Sequence, residues 1–138
     1  MKRKINFIAI HCTATAQSAT PEAIIRYWKE NRKWKSPGYH ILIDKDGKKH
    51  YLQPFDLPAN GVKGFNSSSI HISYIGGVDA KQKGLDNRTP LQKASILEAI
   101  KEALDYSGGK PTIQGHRDFP NVAKECPSFN AKLEYQNL

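Results

Sequence analysis

Apolar positions along this chain follow two periods. Residues 5–11 form an apolar run with the pattern of a buried strand, closed off by the polar stretch 13–18. Thr20-Pro21 then reads as a helix N-cap followed by a first helical residue. The helix it opens turns Ile24, Ile25 and Trp28 inward, with Tyr27 as a further inward candidate. Arg26, Lys29, Glu30 and Arg32 face outward, and the pattern fades over 31–33. Ser36-Pro37-Gly38 breaks the chain. Residues 39–44 and 49–53 are predicted as short strands joined through Lys45-Asp46-Gly47-Lys48, because Asp-Gly readily adopts the positive φ of a hairpin turn.

Residues 54–69, with Pro54, Pro58, Gly61, Gly64 and a run of serines, are predicted as a surface loop of the kind that shapes a groove. Residues 70–75 alternate as a strand does and stop at Gly76-Gly77; a polar loop over 78–88 follows. Thr89-Pro90, with Gln92 at the capping-box position, opens the clearest helix. Its inward face is predicted as Leu91, Ala94, Leu97, Ile100 and Leu104, and Gly108-Gly109 ends it. A short strand over 112–114 and a last helix over 131–135, capped by Asn130, complete the order β-α-β-β-β-α-β-α. That order predicts an α/β fold with a single mixed central β-sheet flanked by helices.

Composition narrows the class. A chain of 138 residues is expected to form one domain, 1–138, with a real core. Its 38% hydrophobic and 25% charged residues fit a globular protein and not a disordered one. The longest apolar run, 7–10, is far too short for a membrane span. Met1-Lys2-Arg3-Lys4 resembles the basic start of a signal peptide. The apolar stretch behind it is too short and is interrupted by His11, so cytoplasmic synthesis without a cleaved signal is expected. A monomer is expected. The net charge of +8 favours an anionic partner: nucleic acid, an anionic membrane or an acidic wall polysaccharide. The charge is spread out, densest at 1–4, 29–35 and 45–49, and no segment has the form of a nucleic-acid recognition motif, so no specific nucleic acid is expected.

The candidate chemistry lies at the two ends of the chain. His116 and Cys126 are ten positions apart, Lys124 is two residues before the cysteine, and His11 ends the first apolar run. Two imidazoles and a thiolate are good zinc ligands, and three protein ligands leave a fourth position open, as in catalytic sites. An open zinc beside a lysine suits hydrolysis. Each residue alone also suits an ordinary role: a partly buried histidine, a small buried cysteine, a solvated lysine. The two cysteines make no disulfide framework; Cys12 reads as a small buried hydrophobe, with a Cys12–Cys126 disulfide as the alternative.

Further motifs accompany these: His11-Cys12-Thr13-Ala14-Thr15, Trp28, Gly38-Tyr39-His40-Ile41-Leu42-Ile43, Asp46-Gly47, Lys63-Gly64-Phe65-Asn66, Ser69-Ile70, Gly76-Gly77, Thr89-Pro90, Gly115-His116 and Lys124-Glu125-Cys126-Pro127-Ser128-Phe129. Jointly they resemble the zinc-dependent N-acetylmuramoyl-L-alanine amidases, the type 2 amidase family shared by phage endolysins and peptidoglycan recognition proteins. The resemblance implies that family's fold. It also implies hydrolysis of the amide between N-acetylmuramic acid and L-alanine in peptidoglycan, by a phage or prophage endolysin that reaches the bacterial cell wall after release or delivery. It implies zinc held by His11, His116 and Cys126, and Tyr39 and Lys124 as the catalytic pair. A phenol at a strand start can hold an attacking water, and in extended chain Lys124 shares a face with Cys126.

Arg117 and Asp118 are expected to fix the loop. Asn66 and Ser67 are candidates for gripping stem peptide or sugar. The alternative function is a recognition module that binds peptidoglycan without cutting it. The chain departs from the family's pattern at two places. Many members have a histidine before the Lys-Gly-aromatic-Asn loop, where this chain has Asn60-Gly61-Val62. Many have glycine after the strand isoleucine, where this chain has His71. His71 is expected to face solvent, with partial replacement of the missing loop histidine as the alternative; His40 is expected to be structural or to support the site, and His50 to be an exposed hairpin residue.

Overall fold

A computed structural model describes residues 2–138; of the basic stretch at the N-terminus, Met1 lies outside the described residues. Five strands form one mixed sheet: β1 (Phe7–Cys12), β2 (Ile41–Ile43), β3 (Lys49–Tyr51), β4 (Ser69–Tyr74) and β5 (Thr112–Gly115). Their spatial order is β3-β2-β4-β1-β5. The predicted hairpin forms, with β2 and β3 antiparallel and Ile43 opposite Lys49. The other pairings are parallel, so β4 and β1 are central strands. Three helices complete the fold: α1 (Pro21–Glu30), α2 (Pro90–Ser107) and α3 (Ala131–Glu134). Their starts are the predicted ones. Thr20 accepts from the Ala23 amide, Thr89 and Gln92 form a reciprocal capping box, and Asn130 accepts from the Leu133 amide.

Alternation along the strands divides the sheet into two faces. Ile8, Ile10, Ile41, Ile43, Ile70, Ile72 and Tyr74 pack with Ile96, Ala99, Ile100 and Ala103 of α2 and with Phe129, Ala131 and Tyr135 of the C-terminal segment. Full burial of each such aliphatic side chain contributes about 1.5–3 kcal/mol. The opposite face carries Leu42, covered by Ile24 and Trp28 of α1, and Ala9, covered by Val62 and Phe119. It also carries His11, His40 and His71.

Three expectations fail here. The inward face of α2 is rotated: Leu91 and Leu97 are exposed, as is Ala94, while Gln92, Ser95, Ile96, Ala99, Ile100 and Ala103 face the sheet. Sheet carbonyls account for the polar members. Gln92 Nε2 donates to Ile75 O at 3.0 Å and to Ile43 O at 3.4 Å, and Ser95 Oγ donates to Gly47 O. Buried carbonyls need such partners, and the two alanines let the helix approach closely. Tyr27 of α1 is exposed; Ile24 and Trp28 already fill the space against Leu42. His50 is half-buried, not exposed, with its Nε2 2.9 Å from Asp44 Oδ2.

Candidate active site and metal centre

β1, the turn after β5 and the C-terminal loop bring His11, His116 and Cys126 together. One possible ligand atom from each lies within 4.8 Å of the others. His11 Nδ1 is 4.0 Å from Cys126 Sγ. A tetrahedral zinc with ordinary N and S bond lengths needs about 3.6 Å between such atoms, so this pair is within a few tenths of an ångström of the spacing a metal would require.

The loop that delivers Cys126 is tied down on both sides. Tyr74 Oη donates to Pro127 O at 2.6 Å and Ser128 Oγ donates to Gly77 O at 2.8 Å. The amide of Arg117 donates to Cys126 O at 2.9 Å, and Asp118 Oδ2 accepts from the Gly115 amide at 2.8 Å. The Cys12 amide donates to Cys126 Sγ at 3.1 Å, a contact that favours a thiolate. Gly77 has φ +97°, and a Cβ there would run into the Cys12 side chain. Both cysteines are free, and Cys12 is buried.

The three groups open onto a cleft of about 500 Å³. Tyr39 and Lys124 line it with them, as do Trp28, Arg32 and Trp34. Tyr39 sits 5.0 Å from the His11 ring, centroid to centroid, with its edge against Trp28, and its hydroxyl donates to Cys12 O at 3.3 Å. Lys124 is exposed at the rim. Asn66 and Ser67 are not brought to the cleft. Asn66 Oδ1 accepts from the Val62 amide at 2.8 Å, and the carbonyls of Asn66, Ser67, Ser69 and Phe55 all accept from the Arg3 guanidinium.

His71 is the residue that sequence reasoning misplaced. It is fully buried, and its Nδ1 lies 2.9 Å from His11 Nε2. His40, on the same face, is also buried; its Nδ1 accepts from the His71 amide at 3.0 Å and its Nε2 donates to Leu57 O at 2.8 Å. The available signal was the departure at Gly61. A Cβ on Gly61 would collide with the His71 ring, so the loop's missing side chain makes room for the strand's imidazole.

The electrostatics suit a metal. Burial holds His11 well below the usual imidazole value, helped by His71, His116, Lys124 and His40. Burial and then Lys124 bring His116 down to about 4. Both rings are therefore neutral near pH 7 and carry lone pairs. Burial, then the Cys12 thiol, push the Cys126 thiol well up, while Lys124 pulls the other way; a divalent cation would offset this cost of a buried thiolate. Burial, followed by Cys126, raises Tyr39, so it stays a phenol that can donate.

Residues 1–129 match the family model described as N-acetylmuramoyl-L-alanine amidase. The chain belongs to that family. Among relatives of this amidase, an endolysin of Klebsiella phage KP32 is 32% identical over 133 residues, covering 95% of this chain and 85% of the relative. The N-acetylmuramoyl-L-alanine amidase LysC from Clostridium intestinale URNW superimposes with a TM-score of 0.79 at 25% identity, over 96% of this chain and 82% of that one. PGRP-SA of Apis mellifera shares the fold, with a TM-score of 0.78 at 20% identity over 96% and 82% of the two chains. The amidase is an enzyme of peptidoglycan degradation with a mixed five-stranded sheet. Among the described residues, no helix is long and apolar enough to cross a membrane.

Proposed function

We propose that this amidase is zinc-dependent, and that it cuts the amide between the lactyl group of N-acetylmuramic acid and L-alanine as an endolysin acting on the cell wall after release. In this reading the whole chain is one monomeric amidase domain. Its ligands are His11 through Nδ1, His116, and Cys126 as thiolate. When bound there, zinc supplies Lewis acidity and a water of lowered pKa. Tyr39 and Lys124 are the catalytic pair. The Tyr39 hydroxyl exchanges its bond to Cys12 O for one to the attacking water, orients it and relays its proton towards the leaving amine. The Lys124 ammonium, at the rim where the scissile carbonyl enters, stabilises the charge that develops on the carbonyl oxygen. Loss of one such donor typically costs about 10²–10³ in rate.

The observation that carries this reading is the convergence of His11, His116 and Cys126 on one cleft whose walls include Tyr39 and Lys124. A recognition module needs the cleft but not an open metal position. The test is mass analysis of products released from purified peptidoglycan, with metal analysis of the same protein. Free stem peptides beginning with L-alanine, from protein carrying one zinc per chain, are expected. Binding to the wall without release of peptides would favour recognition alone, and cleavage without zinc would remove the metal from the reading.

A further inference from the structure

β1 and β4 run side by side in register, with Ala9 opposite His71 and His11 opposite Ser73, so His11 and His71 project from the same face one step apart. Three contacts link them to a turn beyond the sheet. His11 Nε2 is 2.9 Å from His71 Nδ1. His71 Nε2 is 2.8 Å from Asn66 Oδ1. Asn66 Oδ1 is 2.8 Å from the Val62 amide.

Read from its far end, this chain of contacts has one proton arrangement for two neutral rings. A backbone N–H can only donate, so the Asn66 atom that meets Val62 is the amide oxygen. An amide oxygen only accepts, so the His71 proton is on Nε2. His71 Nδ1 is then a bare acceptor, and the His11 proton that meets it is on Nε2. The His11 lone pair is left on Nδ1, the atom that faces Cys126 Sγ. We infer that His71 and Asn66 are positioning residues: they set the tautomer and ring orientation of His11, and so present its Nδ1 to the metal.

The surroundings hold the link in place. Gly61 leaves no Cβ to collide with His71 on one side. On the other, the His40 ring stacks on His71 at 5.9 Å with an interplanar angle of 14°. The turn that holds Asn66 is fastened by Arg3, which donates to the carbonyls of Asn66, Ser67 and Ser69. A ligating histidine generally gives its second N–H to an acceptor that fixes the ring, and loss of that acceptor costs about 10–100-fold in metal affinity. Here the acceptor is another imidazole, whose own tautomer is set one residue further out.

The metal half of this inference rests on the zinc reading; the tautomer half does not, and the experiment separates them. Long-range ¹H–¹⁵N spectra of the metal-free protein read the tautomer directly. The wild-type protein is expected to show His11 and His71 both protonated at Nε2, and Nδ1–H on His11 would overturn the inference whether or not zinc binds. Chelator competition then reads zinc affinity. His71→Leu is expected to bind zinc about 10–100-fold more weakly and to show mixed His11 tautomers. His71→Asn, which keeps an acceptor oxygen near the position of Nδ1, is expected to recover most of the affinity. A folded His71→Leu with wild-type affinity, or His71→Asn no better than His71→Leu, would overturn the positioning role. Should His71→Leu fail to fold, Gly61→Ala displaces the intact ring and is expected to weaken zinc in the same way; unchanged affinity there counts against the inference.

Discussion

The guanidinium of Arg88 lies 3.4 Å above the centre of the Phe129 ring. Arg88 is buried, yet it pairs with Asp86 at 2.8 Å and Glu134 at 2.9 Å, and both carboxylates reach solvent. Phe129 follows Cys126 by three residues. The segment carrying Cys126 is thus held against the body of the fold by one cation, its aromatic seat and two acids.

Replacing Arg88 with Met is therefore expected to destabilise the protein by about 1.5–3 kcal/mol, the usual range for hydrogen bonds to charged groups, because Met leaves apolar cover over Phe129 but removes the hydrogen bonds to Asp86, Glu134 and Tyr135. The pH dependence follows from the acids. Hydrogen bonds from Arg88 are the first cause that lowers both Asp86 and Glu134. Their contribution is complete above the unfolded carboxyl values, near 4, and is lost as pH falls through the lowered folded values. Denaturant unfolding should show a wide gap between wild type and Arg88→Met at pH 7 that narrows below about pH 4. A gap that stays constant with pH would place the effect in packing alone.

One zinc per chain is expected in protein purified without chelator, and Cys126→Ala is expected to remove it. Elemental analysis of the two proteins is sufficient. Equal zinc in both would remove Cys126 from the ligand set.

Lys124→Ala and Tyr39→Phe are expected to keep the fold and the zinc. Lys124→Ala should lower kcat/KM on a soluble muramoyl peptide by about 10²–10³, and Tyr39→Phe should lose most of the activity. In the proposed function both hydroxyl and ammonium take part in the reaction and neither holds the metal, so loss of zinc in either variant would contradict it. Wild-type turnover by Lys124→Ala would leave that residue as a rim charge.

The net charge of +8 is expected to act on wall association and not on bond cleavage. Exposed charges are screened over about 8 Å at physiological ionic strength. Cosedimentation with intact anionic wall should therefore weaken with added salt, while turnover of a small soluble substrate changes little. Equal salt sensitivity in both assays would tie the surface charge to the chemistry.

Signals that reside in neighbouring residues were legible in the sequence: the Asp-Gly hairpin, the three N-caps and the loop carrying Lys124 and Cys126. The convergence of His11, His116 and Cys126 was legible through the family resemblance and not from the residues singly, since each alone also suits an ordinary role. Partners contributed by distant strands were not legible. Alternation placed His71 opposite Ile70 and Ile72, but nothing local says that β4 is central and covered on both faces, so the far side was read as solvent. Apolarity likewise chose Leu91 and Leu97 for the face of α2. The sheet instead presents the carbonyls of Ile43 and Ile75, which need Gln92. Asn66 reads as a polar loop residue open to a ligand, and its oxygen is already engaged by Val62 and His71.

The contact between positions 61 and 71 couples what each can hold. Any side chain at 61 meets the space that the imidazole at 71 fills. With the imidazole at 71 in its present place, a side chain at 61 has no room, and one of the two must move or shrink before the other can be accommodated. The two positions are ten residues apart in sequence, yet they share one volume, so the size of the residue at 61 sets what position 71 can hold.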